Sequence, residues 1–284
     1  GRHAAGSETS ERIQPCLIRY SSNKAAPGTG LLFFMQKFLL LISLLAILSA
    51  CSRPDKDTGA AVDKVSLTTD DGICLGATVY TPATEEQPPG LVLVHRYGRN
   101  RTVWEGFARA AQQAGLLVVT VDLRGHGESG TCGDTTIHHS QLTEKDILDS
   151  LHDIEAAKNY LLDRGADPNN LAVTGEGLGA NLALQYTLQS PDIQAVVMIS
   201  PGLEYNGVET ERAITRLVDC PALLIASEGD AYSALSVSAL KQNAPVFTEL
   251  RTWSGASHGV DIFASHLESM QVILQWLERI FDAA

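Results

Sequence analysis

The architecture of this chain follows from the segment LAVTGEGLGANLALQY, residues 171–186. Its first residues are apolar and partly β-branched, which is typical of a buried strand. Glycines at positions 175, 177 and 179 then predict a tight turn. The apolar run that begins near Leu178 predicts a helix. A strand that passes through such a turn straight into a helix is typical of a sheet covered by helices.

Seven further β-rich runs surround this segment. KVSLTT and ICLGATVY (64–69 and 73–80) flank the turn Asp70-Asp71-Gly72, so we predict an antiparallel hairpin there. Helical patterns separate the remaining β-rich runs. The remaining runs are LVLVH (91–95), LLVVTVD (116–122), QAVVMIS (194–200), ALLIAS (222–227) and PVFTELRTW (245–253). The alternation predicts an α/β fold, a mostly parallel eight-stranded sheet with helices on both faces.

Two long helical patterns are the clearest. Between Thr143 and Gly165, apolar side chains recur every three or four residues, which predicts one amphipathic helix. Thr143 and Asp146 resemble a capping box, with Asp in place of the usual Glu or Gln. The same periodicity from about Asp261 to Phe281 predicts a second helix at the end of the chain.

Composition and charge exclude some classes of protein. The 284 residues are 44% hydrophobic and 19% charged, which is typical of a globular protein and not of a disordered one. The net charge of -12 repels phosphate backbones, so nucleic-acid binding is not expected. We expect one folded domain over residues 63–284.

The N-terminal 50 residues contain the features of a leader sequence. The apolar run from Phe38 to Ala50 follows Met35, Gln36 and Lys37, and we interpret residues 35–50 as a secretory signal peptide. The run is shorter than the about 20 apolar residues that a spanning helix needs, although an uncleaved anchor is the alternative. Residues 1–34 precede the candidate start methionine and are taken as an upstream segment outside the domain.

The residues at the end of this run, Leu48, Ser49, Ala50 and Cys51, resemble the lipobox of bacterial lipoproteins. The resemblance implies that Cys51 is acylated and becomes the new N-terminus, which would tether the protein to a lipid bilayer. Ser52 in the next position implies sorting to the outer membrane, facing the periplasm. Residues 51–62 would then form a polar linker between the bacterial cell envelope and the folded domain.

The turn after residue 174 has the spacing of a nucleophile elbow, GxSxG, but Gly177 stands at the central position in place of serine. The chain resembles the α/β-hydrolases, and most of all the dienelactone hydrolase and small-esterase branch. The resemblance is carried by VLVHRYGRNRTVW, DLRGHGES, VTGEGLGAN, SPGLEY, LIASEGDAYS and GASHG, which occur in this order within residues 64–280. The short gap between the sixth and seventh strand runs leaves no room for a large cap domain.

The resemblance implies a set of site residues. Asp230 would be the acid and His258 the general base, in the α/β-hydrolase order of elbow, acid and histidine. The oxyanion hole would use the backbone NH groups of Leu178 and Tyr97, although Tyr97 has an alternative role as an aromatic residue at the pocket rim. The implied ligand is a small ester, lactone or carboxylate, and no cofactor is implied.

Three arginines, Arg96, Arg99 and Arg101, follow the third strand run of an otherwise acidic protein. We expect them beside the pocket mouth. Arg96 is the candidate to bind a substrate carboxylate through two parallel hydrogen bonds. The alternative is that these arginines are solvated loop charges or partners of nearby acidic residues.

The remaining histidines and cysteines carry weaker signals. His95 and His126 match positions that are structural in the family, whereas the adjacent His138 and His139 are expected at the surface. Neither the histidines nor the cysteines have a metal-binding spacing, so no metal site is expected. Once Cys51 is acylated, the domain retains three cysteines, which allow at most one disulfide: Cys74, Cys132 and Cys220.

Glycine at position 177 removes the hydroxyl that would attack a carbonyl, so hydrolysis is expected to be weak or absent. Three explanations stay open: a natural pseudoenzyme, an engineered substitution, or an active enzyme that uses Glu176, Cys132 or a water activated by His258. A membrane-tethered module that binds a carboxylate is a further alternative. In this interpretation, Gly177→Ser would give turnover of short esters that depends on His258.

Overall fold

The structure, a computed structural model, describes residues 59–84, 87–132, 135–245 and 247–283. For Thr131, Cys132 and Thr135 it describes the backbone alone. The chain divides into two units, residues 1–56 and 57–284, and all described residues belong to the second. The expected signal peptide, Cys51 and most of the linker lie outside the described residues.

The main sheet has eight strands, and the predicted runs all correspond to strands in it. In chain order they are β1 (Ala61–Thr68), β2 (Cys74–Thr81), β3 (Pro89–Val94), β4 (Leu117–Val121), β5 (Asp167–Glu176), β6 (Ile193–Ile199), β7 (Ala222–Ser227) and β8 (Thr248–Trp253). Their order across the sheet is β1-β2-β4-β3-β5-β6-β7-β8. β2 pairs antiparallel with both β1 and β4, and all other pairs are parallel.

Eight α-helices lie between or after these strands in the described part of the chain. They are α1 (Glu105–Gln113), α2 (Glu144–Leu148), α3 (Leu151–Asp163), α4 (Leu178–Thr187), α5 (Glu211–Ile214), α6 (Ala231–Asn243), α7 (Asp261–Ser265) and α8 (Glu268–Phe281). One buried cluster joins α3, α4 and α6 to one face of the sheet. A second cluster joins α1, α7 and α8 to the other face. The predicted α/β architecture with helices on both faces is therefore confirmed.

Two helices predicted as continuous are each broken once. Thr143 does cap a helix, and the reciprocal bonds with Asp146 confirm the capping box. The predicted helix is interrupted after Asp149. There the NH of Ser150 donates a hydrogen bond to the carbonyl of Ile147, three residues earlier, and this tighter turn separates α2 from α3. The second break lies at His266, whose non-helical backbone, with φ -139° and ψ 82°, ends α7 before α8 begins.

The segment between β6 and β7 is small, as expected. It holds a short hairpin of Glu204–Tyr205 and Val208–Glu209, followed by α5. No large cap covers the carboxyl ends of the strands in the described part of the chain. Within those same residues, no helix combines the length and the apolar character that crossing a bilayer requires.

The two cysteines whose side chains are described differ in state. Cys74 is disulfide-bonded, which fits the expectation that at most one disulfide forms. Cys220 is a free thiol that is buried, and its burial raises its pKa to about 12. A thiol held protonated in this way is chemically inert at neutral pH.

Candidate active site

The elbow is built by close backbone packing between β5 and α4. Gly177 joins them with φ 54° and ψ -121°, a backbone conformation that favours glycine. A Cβ atom on Gly175 would lie 2.1 Å from the carbonyl oxygen of Gly179, and one on Gly179 would lie 2.3 Å from the carbonyl oxygen of Val94. These contacts explain why glycine occupies both outer positions of the turn.

Asp230 and His258 converge beside this turn. Asp230 precedes α6, just after β7, and His258 lies in the loop between β8 and α7. The Nδ1 atom of His258 is 2.7 Å from Oδ2 of Asp230. Its Nε2 atom is 3.3 Å from the position that a Cβ atom on Gly177 would occupy. The imidazole therefore faces the space where a side chain at position 177 would stand.

Two backbone NH groups belong to residues next to those around this space: Leu178 follows Gly177, and Tyr97 follows Arg96. Leu178 is the first residue of α4, so its NH has no acceptor within the helix. The NH of Tyr97 belongs to the loop that follows β3. In the part of the chain that the structure describes, neither NH donates a hydrogen bond to a protein atom. Both are free to bind an oxygen atom, as an oxyanion hole requires.

Arg96 has a different environment from the one expected of a substrate ligand. Its Nη1 lies 2.7 Å from Oε2 of Glu176 and 3.3 Å from the carbonyl oxygen of His258, and its Nη2 lies 3.1 Å from Oδ2 of Asp261. Both terminal nitrogens are therefore engaged by the protein. These contacts agree with the alternative, that Arg96 is the partner of nearby acids, and its role in holding a substrate carboxylate stays a prediction.

Glu176, one of the substitute nucleophiles considered above, has a fully buried side chain that contacts other loops of the protein. Besides Arg96, it accepts a hydrogen bond of 2.8 Å from the backbone NH of Val260. A Cβ atom on Gly259 would lie 1.9 Å from Oε2 of Glu176. The Glu176–Arg96 ion pair thus ties the elbow, the loop after β3 and the His258 loop together.

Arg101 and Arg99 differ in burial and in their partners. Arg101 is buried and forms ion pairs with Asp122 and Glu128. It lies within the fold and not at a pocket mouth, which corrects that expectation. Arg99 is exposed, in agreement with a solvated loop charge.

His95 and His126 hold the loop that carries Tyr97. The Nδ1 atom of His95 donates to the Arg96 carbonyl, and its Nε2 accepts from Leu123. His126 accepts a hydrogen bond of 3.1 Å from the backbone NH of Gly98. Burial lowers the pKa of His95 to about 3 and that of His126 to about 4. Both rings are therefore neutral at physiological pH and have the structural role expected of them.

His138 and His139 lie next to His126. The ring of His139 stacks on that of His126 at 4.6 Å, and the carbonyl of His139 accepts a hydrogen bond from the Tyr97 hydroxyl. His138 is exposed as expected, whereas His139 is half-buried. No group of three or more potential ligands with a metal-binding geometry occurs among the described residues.

Two tyrosines form an aromatic wall beside His258. The ring of Tyr205 meets the His258 ring edge to face at 6.4 Å, and the ring of Tyr232 meets that of Tyr205 at 5.6 Å. A Cβ atom on Gly202 would lie less than 3 Å from both tyrosine rings, at 2.7 Å and 2.8 Å. The sequence reasoning missed this wall, although the quoted segment SPGLEY contains Tyr205.

Comparisons with known proteins agree with this architecture. Residues 87–247 match the Hydrolase_4 family, described as serine aminopeptidase, S33. An uncharacterized protein of Mycobacterium tuberculosis is 29% identical over 117 residues, which are 40% of this chain. The match spans only 29% of that relative's length.

Solved structures share the fold at low sequence identity. An esterase of Pyrococcus furiosus has a TM-score of 0.63 at 17% identity, covering 80% of this chain and 95% of the esterase. A thermostable carboxyl esterase of Bacillus coagulans has the same TM-score at 12% identity, covering 78% of this chain and 99% of that chain. With the family match over more than half of its length, the chain belongs to the Hydrolase_4 family of serine aminopeptidases S33, which has the α/β-hydrolase fold.

Proposed function

We propose that this protein is an envelope-anchored member of the α/β-hydrolase superfamily that binds a small ester or lactone and hydrolyses it weakly or not at all. The observation that carries the proposal is the elbow. Gly177 supplies no nucleophile, and the side chain of Arg96 crowds the space where one would stand, with its Cβ 2.9 Å and its Cδ 3.7 Å from the position of an added Cβ. Removing the attacking group costs orders of magnitude in rate.

Two features of the site support the binding of a carbonyl group. The NH groups of Leu178 and Tyr97 are free donors, and His258 is oriented by Asp230. Donors fixed in this way bind a carbonyl oxygen without reorganisation. A ligand with a polarised carbonyl therefore fits the site, which is consistent with the narrower resemblance to dienelactone hydrolases and small esterases.

Charge favours a neutral ligand over a carboxylate. The positive charge of Arg96 is balanced by Glu176 and Asp261. Asp230 adds a further carboxylate beside His258. A ligand carboxylate would meet these acids without a free cation from Arg96, and burying an unpaired charge is costly. An ester or lactone has no such penalty, and the tyrosine wall of Tyr205 and Tyr232 offers it apolar surface.

Ligand binding without turnover is tested by combining two measurements on the full chain. Short-chain lactones and alkyl esters are expected to raise the melting temperature in a saturable manner, while proton release at constant pH stays at the level of the buffer. Tyr205→Ala should weaken the rise. Tyr160→Ala is the matched control, since Tyr160 is a half-buried tyrosine that lines a different cavity.

Two results would overturn the proposal. One is acid release that is fast and lost in His258→Ala, because the protein would then be a working hydrolase. The other is a melting temperature that no member of the ligand series changes.

The envelope location rests on the apolar run Phe38–Ala50 and on Cys51. Mass spectrometry of the protein isolated from bacterial membranes should find acyl groups on Cys51. Cys51→Ala should move the protein from the membrane fraction to the soluble fraction. An unmodified Cys51 in membrane-bound protein would contradict lipidation and favour the uncleaved anchor.

A further inference from the structure

The imidazole of His258 is held in place with one nitrogen left open. Nδ1 is bound to Asp230 at 2.7 Å, the backbone carbonyl accepts a hydrogen bond from Arg96, and the ring packs edge to face on Tyr205. Its side chain is 33% exposed. Within the described residues, Nε2 has no hydrogen-bond partner.

The contact with Asp230 also fixes the tautomer. A carboxylate can only accept, so the neutral ring has its proton on Nδ1 and its lone pair on Nε2. That lone pair faces the space above Gly177, where a Cβ atom would be 3.3 Å away. In an ordinary triad a serine hydroxyl would take up this lone pair. Here the residue at 177 has no hydroxyl, so the nitrogen itself is available to a ligand.

We propose that Nε2 of His258 directly accepts an acyl group from activated acyl donors, such as aryl esters or thioesters. The inference rests on the proposed function, because it assumes that the carbonyl compound binds at this site. The free NH groups of Leu178 and Tyr97 would receive the carbonyl oxygen during attack. Histidine is among the side chains that can form covalent intermediates in enzymes.

The reaction balances without a cofactor. The Nε2 lone pair forms a bond to the carbonyl carbon, and the bond from carbon to the leaving oxygen or sulfur breaks, so that aryloxide or thiolate departs with the electron pair. The acylated ring keeps its Nδ1 proton and is positively charged, which the carboxylate of Asp230 stabilises. Water then adds to the acyl carbon and gives up a proton to solvent, and the electron pair of the carbon–nitrogen bond returns to Nε2. The products are a carboxylic acid and a phenol or thiol.

The chemistry restricts the class of substrate. Once the carbonyl has been attacked, either the original leaving group or the imidazole can depart. An alkoxide is a poorer leaving group than imidazole, so alkyl esters revert to starting material. Phenolates and thiolates leave more readily. The reaction therefore applies to activated acyl donors, while alkyl esters and lactones are bound without turnover.

The test uses p-nitrophenyl acetate with the full chain. Rapid mixing should release an initial burst of nitrophenolate, and rapid acid quenching followed by peptide mass spectrometry should find one acetyl group on His258. His258→Gln should remove the adduct and lower the acylation rate at least about tenfold. His152→Gln is the matched control, since His152 is an exposed histidine on α3, and it should keep both.

The remaining outcomes separate this inference from the proposed function. Nitrophenolate release without an adduct, together with a slower reaction in heavy water, would overturn the inference in favour of an activated water. An acetyl group found only on lysines, tyrosines or other histidines would also overturn it. In either case, a saturable rise of the melting temperature with lactones would leave the proposed function standing. An adduct on His258 in a protein that no lactone stabilises would support acylation and refute lactone binding.

Discussion

A Cβ atom on Gly177 would lie 2.9 Å from the Cβ atom of Arg96. Two Cβ atoms do not approach this closely, and the Arg96 atom is next to the backbone, so it cannot swing away as the end of a flexible side chain would. The glycine at the centre of the elbow and the arginine after β3 are therefore sterically coupled. A Cβ atom at 177 therefore meets the Cβ atom of any residue other than glycine at 96, unless the backbone shifts.

This coupling changes the expected result of restoring the serine. Gly177→Ser alone should lower the melting temperature and give no turnover, because the new side chain meets Arg96 in a backbone conformation that costs about 1 to 3 kcal/mol for residues with a Cβ. Turnover of p-nitrophenyl esters should return when Gly177→Ser is combined with Arg96→Gly and Glu176→Gln, which removes the crowding and the buried charge pair together. Steady-state kinetics measures the difference.

The matched control for this experiment is Arg96→Gly/Glu176→Gln with glycine kept at 177. It should lack the serine-dependent turnover, and His258→Ala should abolish turnover in the triple variant. Efficient hydrolysis by Gly177→Ser alone would contradict the steric coupling.

The sequence was sufficient to predict the strands of the sheet. It was insufficient to predict details that depend on contacts outside the local pattern. Periodicity found all eight strands, because a buried strand shows its pattern within a few residues. The break between α2 and α3 was missed, since Ser150 is compatible with a helix and only its bonds with neighbouring turns show the interruption.

The sequence likewise predicted some residues of the candidate site and missed others. The chain order of elbow, acid and histidine led to Asp230 and His258, which the structure brings within hydrogen-bond distance, and their catalytic roles stay predictions. The Glu176–Arg96 ion pair joins residues 80 positions apart, so no local pattern could show it. A glutamate directly after the buried run LAVTG was the available signal, because a charge at the end of a buried strand needs a partner.

The Glu176–Arg96 pair should be essential to stability. Arg96→Ala leaves the fully buried carboxylate of Glu176 without its cation, so the free energy of unfolding should fall by about 3 to 5 kcal/mol in urea titrations. Arg99→Ala is the control, since Arg99 is exposed in the same loop. Adding Glu176→Gln to Arg96→Ala should recover part of the loss. If Arg96→Ala and Arg99→Ala were equally stable, the pair would have no structural role.

Two glycines in the His258 loop allow the cost of backbone strain to be measured separately from the cost of steric overlap. Gly259 and Gly255 both have positive φ, at +61° and +90°, but a Cβ on Gly259 would lie 1.9 Å from Oε2 of Glu176, while one on Gly255 meets nothing within 4 Å. Gly255→Ala should cost about 1 to 2 kcal/mol from backbone strain alone. Gly259→Ala should cost more, because it also displaces the ion pair. Chemical denaturation of the two variants compares them, and equal losses would refute the overlap.

Acidification should destabilise the protein through His95 and His126. Burial lowers the pKa of His95 to about 3 and of His126 to about 4 in the folded state, from an ordinary value of 6.5. Between pH 6.5 and about 4, the unfolded chain therefore binds protons that the folded protein does not. Stability is fully present above pH 6.5 and decreases as the pH falls, by about 1.4 kcal/mol per histidine for each pH unit.

The measurement must isolate the histidines from Asp153, whose pKa burial raises to about 6 and which contributes the opposite slope. The test therefore compares urea denaturation of the unsubstituted protein with that of His126→Asn from pH 7 to pH 4.5. The variant should have lower stability at pH 7 and a flatter decrease below pH 6.5, since one neutral ring has been removed. His152→Asn, at an exposed position, shows the general effect of losing a histidine. Parallel curves for the unsubstituted protein and His126→Asn would mean that His126 is protonated in the folded state, and would contradict its role as the acceptor for the Gly98 NH.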